Sequence, residues 1–347
     1  MKYLYSPQPT ESITLEVEWS PVWEMILGIA GYTYENLRHT FDMDKAWESY
    51  LVSMSPILVE RLKEIQETNL WFGLIMLQNE HPASSVQEFS NLLYEIEVDD
   101  FYEMLLPYKD RETEAKRKQT SKHHDKKEMF ETYASCFETH EYLGGYVRSL
   151  GHYSYRDICV LFTTTLQEWE NWISQHPDWK QWLQALTYES KRHRSVDLTK
   201  PIEAIERITG GVQYYPEPSI WTVKLIPHAS YRPWVLENRT ANTKLFFYPL
   251  NEDYLIEPGV PPTALVRSHK ALGDELRLRL LYQLVKGPLS LQELSVQFSI
   301  SKTTLHHQLS ILKAAKFVRA EKGVYSLNPT QIHSFSAGLP KYLGLHE

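Results

Sequence analysis

The chain has 347 residues, 42% apolar and 23% charged, with a formal net charge of −8. That composition is globular and the length suffices for two or more domains. No apolar run reaches the roughly 18 residues that span a bilayer, and the opening MKYLYSPQPTESITLEVE turns polar and acidic before a secretory-signal core forms, so no membrane partner and a cytoplasmic location are expected. Cys136 and Cys159, the two cysteines, form neither a disulfide framework nor a CxxC metal pair and read as buried thiols in a reducing compartment.

In chain order, Ile13, Leu15, Val17 and Trp19 alternate with Thr14, Glu16 and Glu18, the period-two pattern of a half-buried strand. From Pro21 to about Leu106 the pattern is helical, with Met54, Ile57, Leu58, Leu62 and Ile65 assigned to one apolar face. Residues 109–128 carry almost nothing apolar and read as a solvated helix or mobile loop. Residues 129–195 return to helices, where the pairs Trp169/Trp172 and Trp179/Trp182 belong to a core. After Gly210-Gly211, IWTVKLI (220–226) and KLFFYPL (244–250) are short strand-type runs. Residues 1–250 are therefore expected to be an α+β domain, mostly helical, with a small antiparallel sheet that includes residues 12–19.

The segment 251–262 contains Pro258, Gly259, Pro261 and Pro262 and reads as a linker before a domain over 263–347. Of the chain's 36 Lys and Arg and 44 Asp and Glu, 11 and 5 fall from Thr263 onward, while all ten tryptophans precede it. A basic domain on an acidic chain puts a favourable local field where nucleic acid would sit. From Ala264 the stripe Leu265, Leu272, Leu276, Leu280 and Leu284 reads as a helix stopped by Gly287-Pro288. Ser290 and Glu293 form a capping box opening a short helix over 291–298. Ser301 caps a third helix over 302–316, which buries Leu305, Leu309 and Leu312 and leaves Lys302, Thr303, Thr304, His306, His307 and Gln308 outward. Such a helix suits the major groove, where its first two turns meet base edges and its capped N-terminus meets a phosphate. FVRAEKGVYSLN (317–328) reads as a hairpin wing, with Arg319 and Lys322 reaching the DNA backbone. Arg277 and Arg279 are assigned to the surface or a domain contact. Asn328-Pro329 opens a final helix with Ile332, Phe335 and Leu339 on its apolar side.

In order, KALGDELRLRLLYQLVKGPLSLQELS, SKTTLHHQLSILKAAKFV and the wing resemble the winged helix-turn-helix of ArsR-type bacterial repressors over residues 264–337. The resemblance implies homodimers paired through the first and last helices of the domain, binding near-palindromic double-stranded DNA operators under control of an effector. It departs from the family where metal sensors carry Cys-x-Cys, since SLQELS has no thiol, and His333 and His346 lack a carboxylate partner. No metal and no cofactor are therefore expected. Lys316 stands where a glycine usually closes the recognition helix.

Residues 1–250 contain no HExxH, GxxxxGK[ST], GxSxG or GxGxxG, and His123-His124 is a poor metal signal, so no enzyme activity is expected. These residues read as a domain for a small-molecule or peptide effector or for dimerisation. The expectation is a DNA-binding transcriptional regulator, a repressor, with Ser301, Lys302, Thr303, Thr304, His306, His307, Gln308, Arg319 and Lys322 at the DNA. The alternatives are a winged helix that docks protein without binding an operator, and an enzyme domain fused to a DNA-binding one.

Overall fold

The computed structural model describes residues 13–43, 53–194, 200–251, 261–321 and 323–343. The chain divides into two compact units: Met1–Thr33, Ser53–Ala229 and Val235–Tyr248 form the first, and Tyr34–Val52, Ser230–Trp234 and Pro249–Glu347 the second. The expected division at 251–262 was contiguous. Two excursions, one after residue 33 and one after residue 229, instead join the C-terminal unit. Residues 252–260 of the expected linker lie outside the described residues.

The first unit is helical, with a small sheet. Strand β1 (Thr14–Val17) turns Leu15 and Val17 inward and Thr14 and Glu16 outward, as its alternation dictates. Helix α1 (Pro21–Thr33) is buried on nearly every side, in keeping with a sequence that is apolar all round. Helix α2 (Pro56–Thr68) is capped by Ser55, whose hydroxyl accepts the Leu58 N–H at 3.1 Å. It buries Leu58, Leu62 and Ile65, and Met54 just before it is buried too. Ile57, expected on the same face, is exposed, because it sits one residue out of step with the 54–58–62–65 row.

The helices α3 (Trp71–Glu80), α4 (Val86–Leu93) and α5 (Val98–Leu105) follow. Part of the charged run then forms α6 (Glu114–Lys122), solvated except where Arg117, Thr120 and Ser121 turn inward. Arg117 is held between Glu103 at 2.9 Å and Glu114 at 2.8 Å. Next come α7 (Lys127–Ala134), α8 (Leu143–Leu150), α9 (Tyr155–Ile173), α10 (Trp179–Arg194) and α11 (Pro201–Thr209). Trp169, Trp172, Trp179 and Trp182 are all buried, so the tryptophan stripes are core. A Cβ at Gly28 would stand 2.8 Å from the Trp169 ring, so this glycine permits the close approach of α1 to α9. Cys159 is buried, and both thiols are free. Cys136 is only half-buried, a correction to the expectation for the pair, because it lies in a short 3₁₀ turn (Ser135–Phe137) where only Phe137 is buried.

The sheet has strand order β1-β2-β4-β3. β2 (Thr222–His228) and β4 (Thr243–Pro249) are the two apolar runs anticipated. β3 (Leu236–Arg239) pairs antiparallel with β4, Leu236 opposite Phe247 and Arg239 opposite Lys244. β1 adds in parallel beside β2, Thr14 opposite Thr222. Leu15, Val17, Val223, Leu225, Phe246 and Tyr248 pack with Ala204, Ile205 and Ile208 of α11 into one core.

In the second unit the stripe from Ala264 to Leu284 is two helices rather than one, α12 (Thr263–Leu272) and α13 (Glu275–Leu284). Gly273 ends the first, and Asp274 caps the second by accepting the Arg277 N–H at 3.0 Å. Strand β5 (Leu289–Ser290), helices α14 (Leu291–Phe298) and α15 (Lys302–Ala314), strands β6 (Val318–Glu321) and β7 (Val324–Leu327), and helix α16 (Pro329–Tyr342) complete it. The antiparallel sheet order is β5-β7-β6. Leu280, Leu284, Leu294, Leu305, Leu309, Leu312 and Phe317 are its buried core.

Candidate nucleic-acid interface

Two caps set the helix pair α14–α15. The Ser290 hydroxyl accepts the Glu293 N–H at 3.3 Å while the Glu293 carboxylate accepts the Ser290 N–H at 2.7 Å, the reciprocal box expected at α14. Ser299 ends α14 in the left-handed conformation at φ 55°, and the Ser295 hydroxyl donates to the Ile300 carbonyl at 2.7 Å across the turn. Ser301 then caps α15, accepting the Thr304 N–H at 3.1 Å. Leu305, Leu309 and Leu312 face the core, and Lys302, Thr303, Thr304, His306 and His307 are exposed with Ser301 at the start of α15. Six of the nine residues expected at the DNA are therefore together at one helix N-terminus.

The other three differ. Gln308 is half-buried, and its carbonyl accepts from Arg277 Nη1 at 2.8 Å. Arg277 is the unrecognised member here. Its Nε donates to the Ala271 carbonyl at 2.6 Å and its Nη2 to the Lys270 carbonyl at 2.9 Å, closing the C-terminus of α12. It is an internal clamp rather than a surface charge, whereas Arg279 is exposed beside Glu275. Its signal was the adjacent helix break at Gly273-Asp274, which leaves carbonyls needing a donor. On the wing, Arg319 donates to Asn328 Oδ1 at 2.9 Å, and Asn328 Nδ2 donates to the Lys316 carbonyl at 2.8 Å. Glu321 pairs with Val324, and Gly323 just before Val324 has φ 79°, as a tight hairpin turn requires. Lys322 lies outside the described residues. Lys316 does occupy a left-handed position, at φ 61°.

A family model described as bacterial regulatory protein, arsR family, matches residues 274–320. The chain carries an ArsR-type helix-turn-helix. The match runs from the cap of α13 to β6, and the function that goes with this domain is DNA-binding control of transcription. No curated protein and no solved structure matches the chain. His333 is exposed on α16, and His346 lies outside the described residues. Among the described residues no group of three or more His, Cys, Asp or Glu is placed to hold a metal, and no helix is long and apolar enough to cross a membrane.

The first unit contains an open cleft of about 320 Å³ whose lining includes Met76, Met104, Leu106, Tyr108, Arg117 and Arg239. The Arg239 guanidinium lies 5.0 Å from the centre of the Tyr108 ring and 2.8 Å from Glu217.

Proposed function

We propose that the protein is a cytoplasmic, homodimeric transcriptional repressor, not an enzyme, that reads a near-palindromic operator with α15 in the major groove and rests its wing on the backbone. The observation that carries this reading is the exposed polar start of α15, Ser301–Thr304 with His306 and His307, opposite its buried leucine row. Lys302, Thr303, His306 and His307 offer donors, an acceptor and a methyl to base edges, and the capped N-terminus offers amides to a phosphate. Homodimerisation is supported by α16, where Ile332, Leu339 and then Leu343 expose apolar side chains seven and four residues apart, the spacing of one helix face. The cleft of the first unit has the size of a small-molecule site and is where we place an effector.

One observation favours a second reading. Leu278, Tyr282 and Val285 on and just after α13 are 49%, 65% and 65% exposed at helical spacing, an apolar stripe suited to docking a protein. The deciding experiment is a binding titration against a duplex selected from a randomised pool, at two salt concentrations with excess competitor DNA. A sequence-specific regulator binds tightly and resists competitor, and its affinity falls linearly on a log–log salt plot. His307→Ala should weaken binding to the selected duplex, as should Lys302→Ala, while Lys322→Ala lowers affinity for all sequences and flattens the salt slope. Binding erased by competitor would leave the protein-docking reading standing.

A further inference from the structure

Helix α15 has a second neighbour within its own unit. His307, Ser310 and Ala314 follow one another at three and four residues, two positions out of step with Leu305, Leu309 and Leu312, and so lie on the opposite side of the helix. A free reading helix would leave that side bare, yet Ser310 is 7% and Ala314 3% exposed. The 3₁₀ turn Glu35–Thr40 packs against α15. Its His39 ring lies 5.0 Å from the His307 ring, tilted by 30°.

The turn is clamped. Trp234 Nε1 donates to the Thr40 hydroxyl at 2.7 Å, while Lys313 Nζ of α15 sits 5.2 Å from the centre of the Trp234 ring. Phe41 meets Tyr231 edge-on at 4.9 Å. The Asp42 N–H donates to the Arg232 carbonyl at 3.0 Å. The Asp42 carboxylate, 6% exposed, lies 3.5 Å from Arg232 Nε and pairs with Arg267 of α12. Residues 34–43 and 230–234 are thereby fastened to each other and to α12 and α15.

A major groove about 12 Å wide accepts one helix about 10–12 Å across, with no space for a second backbone layer on the face that enters it. We propose that residues 34–43, braced by the Ser230–Trp234 corner, are an autoinhibitory latch over the reading helix, which DNA must displace. This rests on the reading of α15 as the groove helix. The apparent dissociation constant is then the intrinsic one multiplied by one plus the latched-to-open ratio. Residue 34 directly follows the end of α1, and residue 230 comes two residues after the end of β2, so an effector that shifts either element acts on the latch through the chain itself.

The test uses the full-length chain and a duplex selected from a randomised pool by the Asp42→Ala variant. Asp42→Ala and Trp234→Ala should bind that duplex about five- to tenfold more tightly than the unaltered chain, and His39→Ala, at an exposed position, about two- to threefold. Hydrogen exchange on the unaltered chain serves where a variant fails to fold: adding the duplex should protect α15 and release the Phe41 and Asp42 amides. Equal affinities, or Phe41 and Asp42 amides as protected with DNA as without, would overturn the latch and leave the groove reading intact. If neither the unaltered chain nor any variant binds a selected duplex, the groove reading fails and the latch with it.

Discussion

Arg277 distinguishes support from recognition within the ArsR-type domain. Its guanidinium, 13% exposed, makes three hydrogen bonds, to the Ala271, Lys270 and Gln308 carbonyls, and stands 3.8 Å from the Asp274 carboxylate. Replacing it by Met keeps the aliphatic stem and removes every donor. A hydrogen bond to a charged group contributes about 1.5–3 kcal/mol, and a stranded acceptor near the surface recovers part of that from water, so Arg277→Met should cost about 3–4 kcal/mol. Arg277→Lys should recover little, because one ammonium does not span three acceptors set around a planar fork. Gln308→Ala removes a single acceptor and should cost about 1 kcal/mol, with a coupling of similar size in the double-mutant cycle.

Because the chain has two units, a single unfolding curve is not a safe measure; the readout is hydrogen exchange of α13 and α15 across a urea series. The same variants, titrated against the selected duplex under conditions where they are folded, separate the two roles. Gln308→Ala should keep the sequence preference of the unaltered chain. A loss below about 1 kcal/mol for Arg277→Met would refute the clamp, as would full rescue by Lys. A Gln308→Ala chain of normal stability with altered base preference would return Gln308 to the groove.

Other expectations follow from single residues. Lys316→Gly should stabilise the second unit by about 0.5–1 kcal/mol, read as slower hydrogen exchange of the α15 amides across a urea series, since glycine adopts the left-handed position at φ 61° without the Cβ penalty. Burial pushes the Cys159 thiol up to about 11, so alkylation of the native protein at pH 8 should label Cys136 and spare Cys159, as read by peptide mass. Bonds from the Ser290 N–H and hydroxyl hold the Glu293 carboxylate below the ordinary carboxylate range. Its contribution to α14 is therefore present above the unfolded pKa and lost as pH falls through the lowered folded one; exchange of the α14 amides should show that loss, and Glu293→Gln should abolish it.

The sequence made the ArsR-type domain legible because its signals are local. Capping residues at Ser290, Glu293 and Ser301, a leucine row at helical spacing and a Lys-Gly turn each act within a few residues of themselves. The helix break before α13 was also locally written, in Gly273-Asp274, but the leucine stripe ran through it and concealed it. In the first unit, β1, β2 and β4 showed themselves by alternation or apolar run. β3 did not, because LENR has the polarity of a loop and becomes a strand only when β4 supplies its partners. The parallel pairing of Thr14 with Thr222 had no local signal at all.

The contacts around α15 show why a reading face is easier to find than its regulation. Lys302, Thr303, Thr304, His306 and His307 are polar and outward by helix geometry alone, and so follow from the sequence. What covers the far end of the same face is set by Asp42 with Arg267 and by Thr40 with Trp234, 225 and 194 residues apart in the chain. No periodicity links such pairs; only folding brings them together. The polar residues at the start of α15 state what the domain is able to bind, whereas the burial of Ser310 and Ala314 states that binding has a competitor already in place. If that competitor is worth a factor of about ten, an effector needs only about 1.4 kcal/mol of preference for the open arrangement to cancel it. That is the free energy of one or two hydrogen bonds, within reach of a ligand held in a cleft the size of the one beside Tyr108 and Arg239.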